Sequence, residues 1–257
     1  MTVTSQFLRS RRSVRNYDGQ PLTASDAAAV QAILDRAAKD QPGLSFRLFT
    51  GNGKPFSGFR RSYGFFQGVA NYVAVIIDPN EADVYERAGF SSQQAVMEMT
   101  AMGLGTCYVA ATYDAATVDL PLDPGQRLLM LITLGYAADK RTKGIAGLIL
   151  RLAHRHERTA MEFFSADRNG DLPLGDAQRI FPTLTDGLEG LVSAPSQMNR
   201  QPVRVHVTGG DRPALRAYVD DPTPKNLVDL GIGKYNFAAA AGGVWQWGND
   251  AKLEMRN

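Results

Sequence analysis

Ala194-Pro-Ser-Gln-Met-Asn-Arg-Gln-Pro202 stands between a helical pattern and an alternating strand pattern. Pro, Ser and Asn make such a junction a stiff loop with exposed amide and hydroxyl groups. Alone it is a turn. Near the start of the chain, Arg11-Arg-Ser-Val-Arg15 places three guanidinium groups and a hydroxyl within five residues. The planar donor fork of arginine suits phosphate oxygens, although alone the stretch is a solvated basic terminus.

Working outward from these two stretches, the chain reads as two similar runs. Thr23-Ala-Ser-Asp26 supplies a hydroxyl and a carboxylate for a helix N-terminus. Ala27, Val30, Ile33, Leu34 and Ala37 follow at helical spacing until Gln41-Pro42-Gly43. Strands are expected at 45–50, 71–77, 106–109 and 127–134, with a long helix from 82 to 102. In the second run a helical stretch, 176–192, is interrupted by Pro182. A strand over 203–207 and a small-residue helix over 226–241 follow. Helix, Gln-Pro, strand and turn over 23–53 match the same order over 176–210, and Arg87-Ala-Gly89 is echoed by Asp229-Leu-Gly231. This is a weak internal duplication, of the kind that lets two halves of one chain pack as two subunits would.

Composition narrows the function. The 257 residues carry 28 Lys+Arg against 26 Asp+Glu, a formal charge of +2. That is too small an excess for a nucleic-acid-binding protein as a whole. One cysteine, Cys107, excludes an intramolecular disulfide and a cysteine metal cluster, and three histidines leave little for a histidine site. No metal is expected; Asp167-Arg-Asn-Gly-Asp171 fails the calcium-loop pattern and reads as a polar turn. No apolar run spans a membrane and no signal core begins the chain, so a cytoplasmic location is expected. Residues 141–158 are rich in Lys and Arg and read as a connector, with an amphipathic helix over 145–152. Neither a dinucleotide Gly-rich fingerprint, a phosphate-binding P-loop nor a nucleophile elbow occurs.

Arg-Arg-Ser-x-Arg, Ala-Pro-Ser-x-x-Asn-x-Gln-Pro and a long helix ending in Gly103-Leu-Gly-Thr-Cys-Tyr108 together resemble the nitroreductase family of FMN flavoproteins. The resemblance covers most of the chain. It implies an α+β fold with a central, mainly antiparallel sheet flanked by helices. Family members are homodimers that hold FMN between Arg-Arg-Ser of one subunit and Pro-Ser-x-x-Asn of the other. Here the place of the Pro-Ser-x-x-Asn loop after the first helix holds Asp40-Gln-Pro-Gly-Leu44, and the loop appears in the second half. The chain is therefore similar to a fused, duplicated branch of the family, in which one chain mimics a homodimer and each half keeps one side of a single site. The expected division is 1–140, a connector at 141–158, and a shortened second half at 159–257.

The resemblance assigns residues. Arg11, Arg12 and Ser13 would bind the FMN phosphate, and Arg15 the ribityl and N1–C2 edge, where a cation stabilises reduced flavin. Pro195, Ser196 and Asn199 would contact the ring or ribityl chain, with Gln201 supporting that loop and Arg158 as a late phosphate-binding cation. Ala110 and Ala111 fall where the family often has Glu-Gly beside flavin N5. Ala111 keeps an N–H for N5, while the carboxylate is lost. No side chain is expected to act as catalytic acid or base. Tyr63, Phe65, Phe66, Tyr108 and Trp245 are candidates either for the flavin face or for plain core, and Cys107 for a buried, inert thiol. The implied activity is ping-pong hydride transfer from NADH or NADPH, through FMN, to a nitro, quinone or related small acceptor, by a monomeric pseudo-dimer without stable membrane insertion. The alternatives are a flavin dehydrogenase for a dedicated metabolite, a non-enzymatic FMN storage or sensing protein, and a peripheral membrane protein docking through 140–158.

Overall fold

The computed structural model describes residues 5–57, 65–138 and 158–255. The basic connector up to residue 157, the helix expected over 145–152 and Tyr63 lie outside the described residues. Two compact units emerge. The first comprises Arg11–Val84 and Gln94–Arg155; the second comprises Met1–Ser10, Tyr85–Gln93 and His156–Asn257.

In the first unit, Thr23 Oγ1 accepts the Asp26 N–H at 3.1 Å and starts helix α2 (Ala24–Ala38), after a short α1 (Ser5–Ser10) that belongs to the second unit. Val30, Ile33, Leu34 and Ala37 form the buried face of α2, as their 3,4 spacing requires. Strands β1 (Leu44–Phe49), β2 (Asn71–Ile77), β3 (Gly105–Val109) and β4 (Arg127–Gly135) form an antiparallel sheet in the order β1-β2-β4-β3. Every residue of β2 is buried. Its unbroken apolar run belongs to a strand covered on both faces. Phe56, Phe66, Tyr72, Cys107 and Leu131 join one core cluster. Helix α3 (Val84–Ala101) follows β2, and Gly103, at φ +81°, closes its C-terminal turn in the left-handed region that suits glycine.

In the second unit, the stretch expected as one interrupted helix is two, α4 (Leu174–Ile180) and α5 (Leu184–Val192), separated at Pro182, which has no N–H to donate. Strands β5 (Arg204–Thr208), β6 (Ala214–Tyr218), β7 (Val244–Trp245) and β8 (Ala251–Glu254) pair antiparallel in the order β5-β6-β8-β7. Helix α6 (Pro224–Ala241) lies in sequence between β6 and β7. Phe163, Leu188, Val205, Leu215 and Phe237 are buried in this unit's own core.

Both sheets thus carry the order 1-2-4-3 with an 18-residue helix between their second and third strands. The start of α3 crosses α6 within the second unit, and the contact is reciprocal. A Cβ on Gly89 would lie 2.0 Å from Val228 O, and a Cβ on Gly231 would lie 1.9 Å from Glu86 O. Gly89 stands three residues after Glu86, and Gly231 three after Val228. Only glycine permits either approach. Among the described residues no helix is long and apolar enough to cross a membrane.

Candidate functional site

The two sequence stretches fold into different kinds of structure. Residues 11–15 run extended beside β3. Ser13 forms a parallel bridge with Thr106, and the Val14 N–H donates to Thr106 O at 2.9 Å. Gly105 makes room, since a Cβ there would meet Val14 Cγ2 at 2.8 Å. An extended chain alternates its side chains. Accordingly Arg11, Ser13 and Arg15 share one side and are half-buried, while Arg12 is exposed.

That shared side is electropositive. Arg15 Nη1 donates to Ser13 O at 3.3 Å. Arg11 has a buried Nε without a hydrogen-bond partner among the described residues. Burial pulls the Arg11 guanidinium below its ordinary value; the acidic groups of Tyr108 and Cys107 oppose this and Arg15 adds to it. Burial likewise pushes the Cys107 thiol up, against Arg15, a Ser13 hydrogen bond and Arg11. The thiol is 3% exposed, an inert environment for sulfur. A desolvated, incompletely bonded guanidinium is costly by itself and is relieved by an anion. Ala110 and Ala111 follow β3 directly and are exposed.

In the second unit, residues 195–201 form a strained loop. Gln197–Asn199 make a single 3₁₀ turn, and Met198, Asn199 and Gln201 have φ values of +54°, +55° and +48°. Non-glycine residues in the left-handed region cost about 1–3 kcal/mol each and persist only where neighbours over-determine them. Here the neighbours are polar. Ser196 Oγ accepts the Gln201 N–H at 2.8 Å. Gln201 Oε1 accepts the Arg158 N–H at 3.2 Å, and its Nε2 donates to Val192 O at 3.2 Å. The Gln197 N–H points at both carboxylate oxygens of Asp229, at 3.2 and 3.3 Å. Arg158, Ser196 and Gln201 are thereby brought together, with Pro195 and Asn199 in the same loop.

Two residues at this loop escaped the sequence reading. Asp229 was visible only as part of an echo of Arg87-Ala-Gly89; its signal was the single carboxylate of a helix that also carries two lysines. Arg204 donates to Gln201 O at 3.2 Å and to Val203 O at 2.8 Å, closing the loop where β5 begins. The aromatic candidates divide. Phe66 and Trp245 are buried in the cores of the first and second units, with the Trp245 N–H donating to Lys234 O at 2.9 Å. Phe65 is partly buried beside the first core, and Tyr108 is half-buried near Arg11. Among the described residues no cluster of three His, Cys, Asp or Glu is placed to hold a metal.

Antiparallel sheets with helices and a cationic strand beside β3 place the chain in the class of nitroreductase-like α+β folds. Residues 4–241 match the family described as "Putative TM nitroreductase", and the chain belongs to that family. A structure from Thermotoga maritima MSB8, described as a "putative nitroreductase", has 21% identity and a TM-score of 0.59, over 98% of this chain and 92% of that one. An FMN-dependent nitroreductase from Clostridium difficile R20291 has 18% identity and a TM-score of 0.41, over 55% of this chain and 91% of that one. No curated protein matches the chain.

Proposed function

We propose that this protein is an FMN-dependent oxidoreductase that takes a hydride from NADH or NADPH and reduces a small electron acceptor of the nitro or quinone class. The observation that carries the proposal is the Arg11–Arg15 strand. Its half-buried guanidinium with an unmet donor, beside Ser13 and Arg15, fits an anionic phosphate group. FMN, when bound, supplies the two-electron chemistry that the side chains lack. Arg11 and Ser13 hold the phosphate, with Arg12 at its exposed side, and Arg15 offsets negative charge at the N1–C2 edge. Pro195, Ser196 and Asn199 present the second set of contacts, on a loop kept in shape by Gln201 beside Arg158. The backbone N–H of Ala111 serves as donor to N5, and Ala110 leaves the acceptor position without a carboxylate.

Internal duplication is part of the proposal. The repeated strand order, the helices of equal length and the reciprocal Gly89–Gly231 crossing support it, because an isologous contact is what two copies of one ancestor make. One FMN per monomeric, cytoplasmic chain is expected.

The visible spectrum of the purified protein, followed by anaerobic addition of NADH and NADPH, tests this. A yellow protein with one FMN per chain that bleaches is the expected result. A yellow protein that does not bleach is the outcome of the storage or sensing alternative, which the methyl group of Ala110 favours. A colourless protein that ignores added FMN overturns the proposal.

A further inference from the structure

We propose that Asn169 is a deamidation site: its carboxamide is converted to aspartate and isoaspartate through a cyclic imide with Gly170, and the product loosens the polar clasp around His206. The inference stands apart from the flavin reading. It concerns the Asp167-Arg-Asn-Gly-Asp171 turn, to which the proposed activity gives no role.

The chain contains two Asn-Gly pairs, Asn52-Gly53 and Asn169-Gly170. Glycine after asparagine is the least hindered case for attack of the next backbone nitrogen on the side-chain carbonyl carbon, because no Cβ shields that nitrogen. The fold treats the two pairs oppositely. At the first, Asn52 Oδ1 accepts the Lys54 N–H at 3.3 Å, and the Asn52 N–H donates to Ala70 O at 2.8 Å. A Cβ on Gly53 would lie 2.1 Å from Val69 O, so this segment is wedged against neighbouring backbone. At the second, Asn169 and Gly170 are exposed, and a Cβ on Gly170 would meet nothing within 4 Å. Among the described residues neither the Asn169 carboxamide nor the Gly170 N–H is hydrogen-bonded. One exposed hydrogen bond, from the Asp171 N–H to Arg168 O at 3.0 Å, closes the turn, so its opening is a local event.

The reaction balances with water alone. The Gly170 nitrogen loses its proton to hydroxide and attacks Asn169 Cγ. The bond from Cγ to the carboxamide nitrogen breaks, and ammonia leaves with a proton from water, which regenerates hydroxide. Water then opens the imide. Opening at the side-chain carbonyl leaves aspartate; opening at the backbone carbonyl leaves isoaspartate, whose main chain runs through Cβ and is longer. That extra length falls between two residues of a polar network. The Arg168 guanidinium lies 3.7 Å over the Tyr218 ring and pairs with Asp250 at 3.0 Å. Asp171 Oδ1 lies 2.7 Å from His206 Nδ1, and Asp250 Oδ1 lies 2.7 Å from Nε2. Lengthening the turn shifts Arg168 against Asp171, and a buried network that loses one member leaves the others unpaired.

Ageing the purified full-length protein in mildly alkaline buffer tests the site, read by peptide mass spectrometry and by labelling with an isoaspartate-specific methyltransferase. The wedge at Gly53 adds to the cost of local opening, and each ~1.4 kcal/mol is tenfold in rate. Conversion at Asn169 is expected to be about tenfold faster, or more, than at Asn52 in the folded protein. In urea, where neither pair is held, the two rates should be similar. Equal rates in the folded protein, or faster conversion at Asn52, overturn the site. Urea unfolding then reads the clasp. Aged wild type is expected to unfold at lower denaturant than fresh protein, and aged Asn169→Gln to match its fresh counterpart. An aged wild type that carries isoaspartate at 169 and unfolds like fresh protein overturns the loosening.

Discussion

The two sheets share an order and differ in what holds them. In the first, seven-residue β2 and nine-residue β4 pair along their length, and every side chain of β2 is buried, most of them aliphatic. In the second, β5 and β6 have five residues each and β7 only two. There the shorter strands are tied by buried polar groups. Lys234 Nζ donates to Glu86 Oε1 at 2.6 Å and to the carbonyls of Gln246 and Gly248 at 3.2 and 2.9 Å, while Glu86 Oε2 accepts the Gly248 N–H at 2.9 Å. His206 lies between Asp171 and Asp250, with each ring nitrogen 2.7 Å from a carboxylate oxygen. One topology is thus supported by apolar area where strands are long and by saturated polar networks where they are short. The second solution is brittle, because a network that loses one member leaves the others buried and unpaired.

The contrast breaks most sharply at the buried pair. Lys234→Met should destabilise the protein by about 3–5 kcal/mol in urea unfolding, since it strands the Glu86 carboxylate. Adding Glu86→Leu should recover part of that loss, because the double change removes the lone charge. A single-variant cost below about 1 kcal/mol would mean that the polar tie does not hold the second unit.

The two candidate binding stretches sharpen the comparison next. Arg11→Met should weaken FMN binding by about 1.5–3 kcal/mol, the scale of a lost charged hydrogen bond. The same change should leave the flavin-free protein no less stable, since it removes a buried donor without a partner. Fluorescence titration with FMN and urea unfolding of the same sample would show the two opposite signs; a loss of both would make Arg11 a structural residue.

The proposed duplication makes a quantitative claim about the helix crossing. Gly89→Ala and Gly231→Ala should each cost about 1–3 kcal/mol through forced separation of backbones, even though alanine is the better helix former by about 1 kcal/mol. Their thermal melts should shift alike; a neutral change at one and a large loss at the other would show that the crossing is not reciprocal. Smallest is Asn199→Ala, expected to weaken FMN by about 1 kcal/mol and, because Asn199 stands at φ +55°, where asparagine is better tolerated than alanine, to cost about 1 kcal/mol in unfolding as well. Unaltered flavin retention in that variant removes the second half from the site.

Much of the framework was legible. The strand at 71–77, the capped helix after Thr23, the long helix before Gly103 and the break at Pro182 all appear where hydrophobic period and turn chemistry put them. The weak spots were β6, β7, β8 and α1, which are short and carry too few periodic positions to stand out from loops. The site was legible in composition and not in arrangement. Arg-Arg-Ser looks like three consecutive donors, but its pairing with β3 divides Arg12 from Arg11 and Ser13. Ser196 and Gln201 look like ligand groups, yet the Ser196 hydroxyl accepts a loop N–H and both ends of the Gln201 side chain are bonded to backbone.

Local signals suffice for what neighbouring residues settle among themselves: helix starts, buried strands and glycine-closed turns follow from caps, periodicity and backbone freedom within a few positions. Family membership also lay in short motifs, because phosphate-suited arginines and a stiff Pro-Ser-x-x-Asn loop keep their chemistry in one dimension. Burial of Asp229 beneath a loop some thirty residues away could come only from the folded chain, as could the Glu86–Lys234 pair and the Gly89–Gly231 crossing. Each depends on desolvation or on contact between segments distant in sequence, and neither quantity exists until the chain has folded.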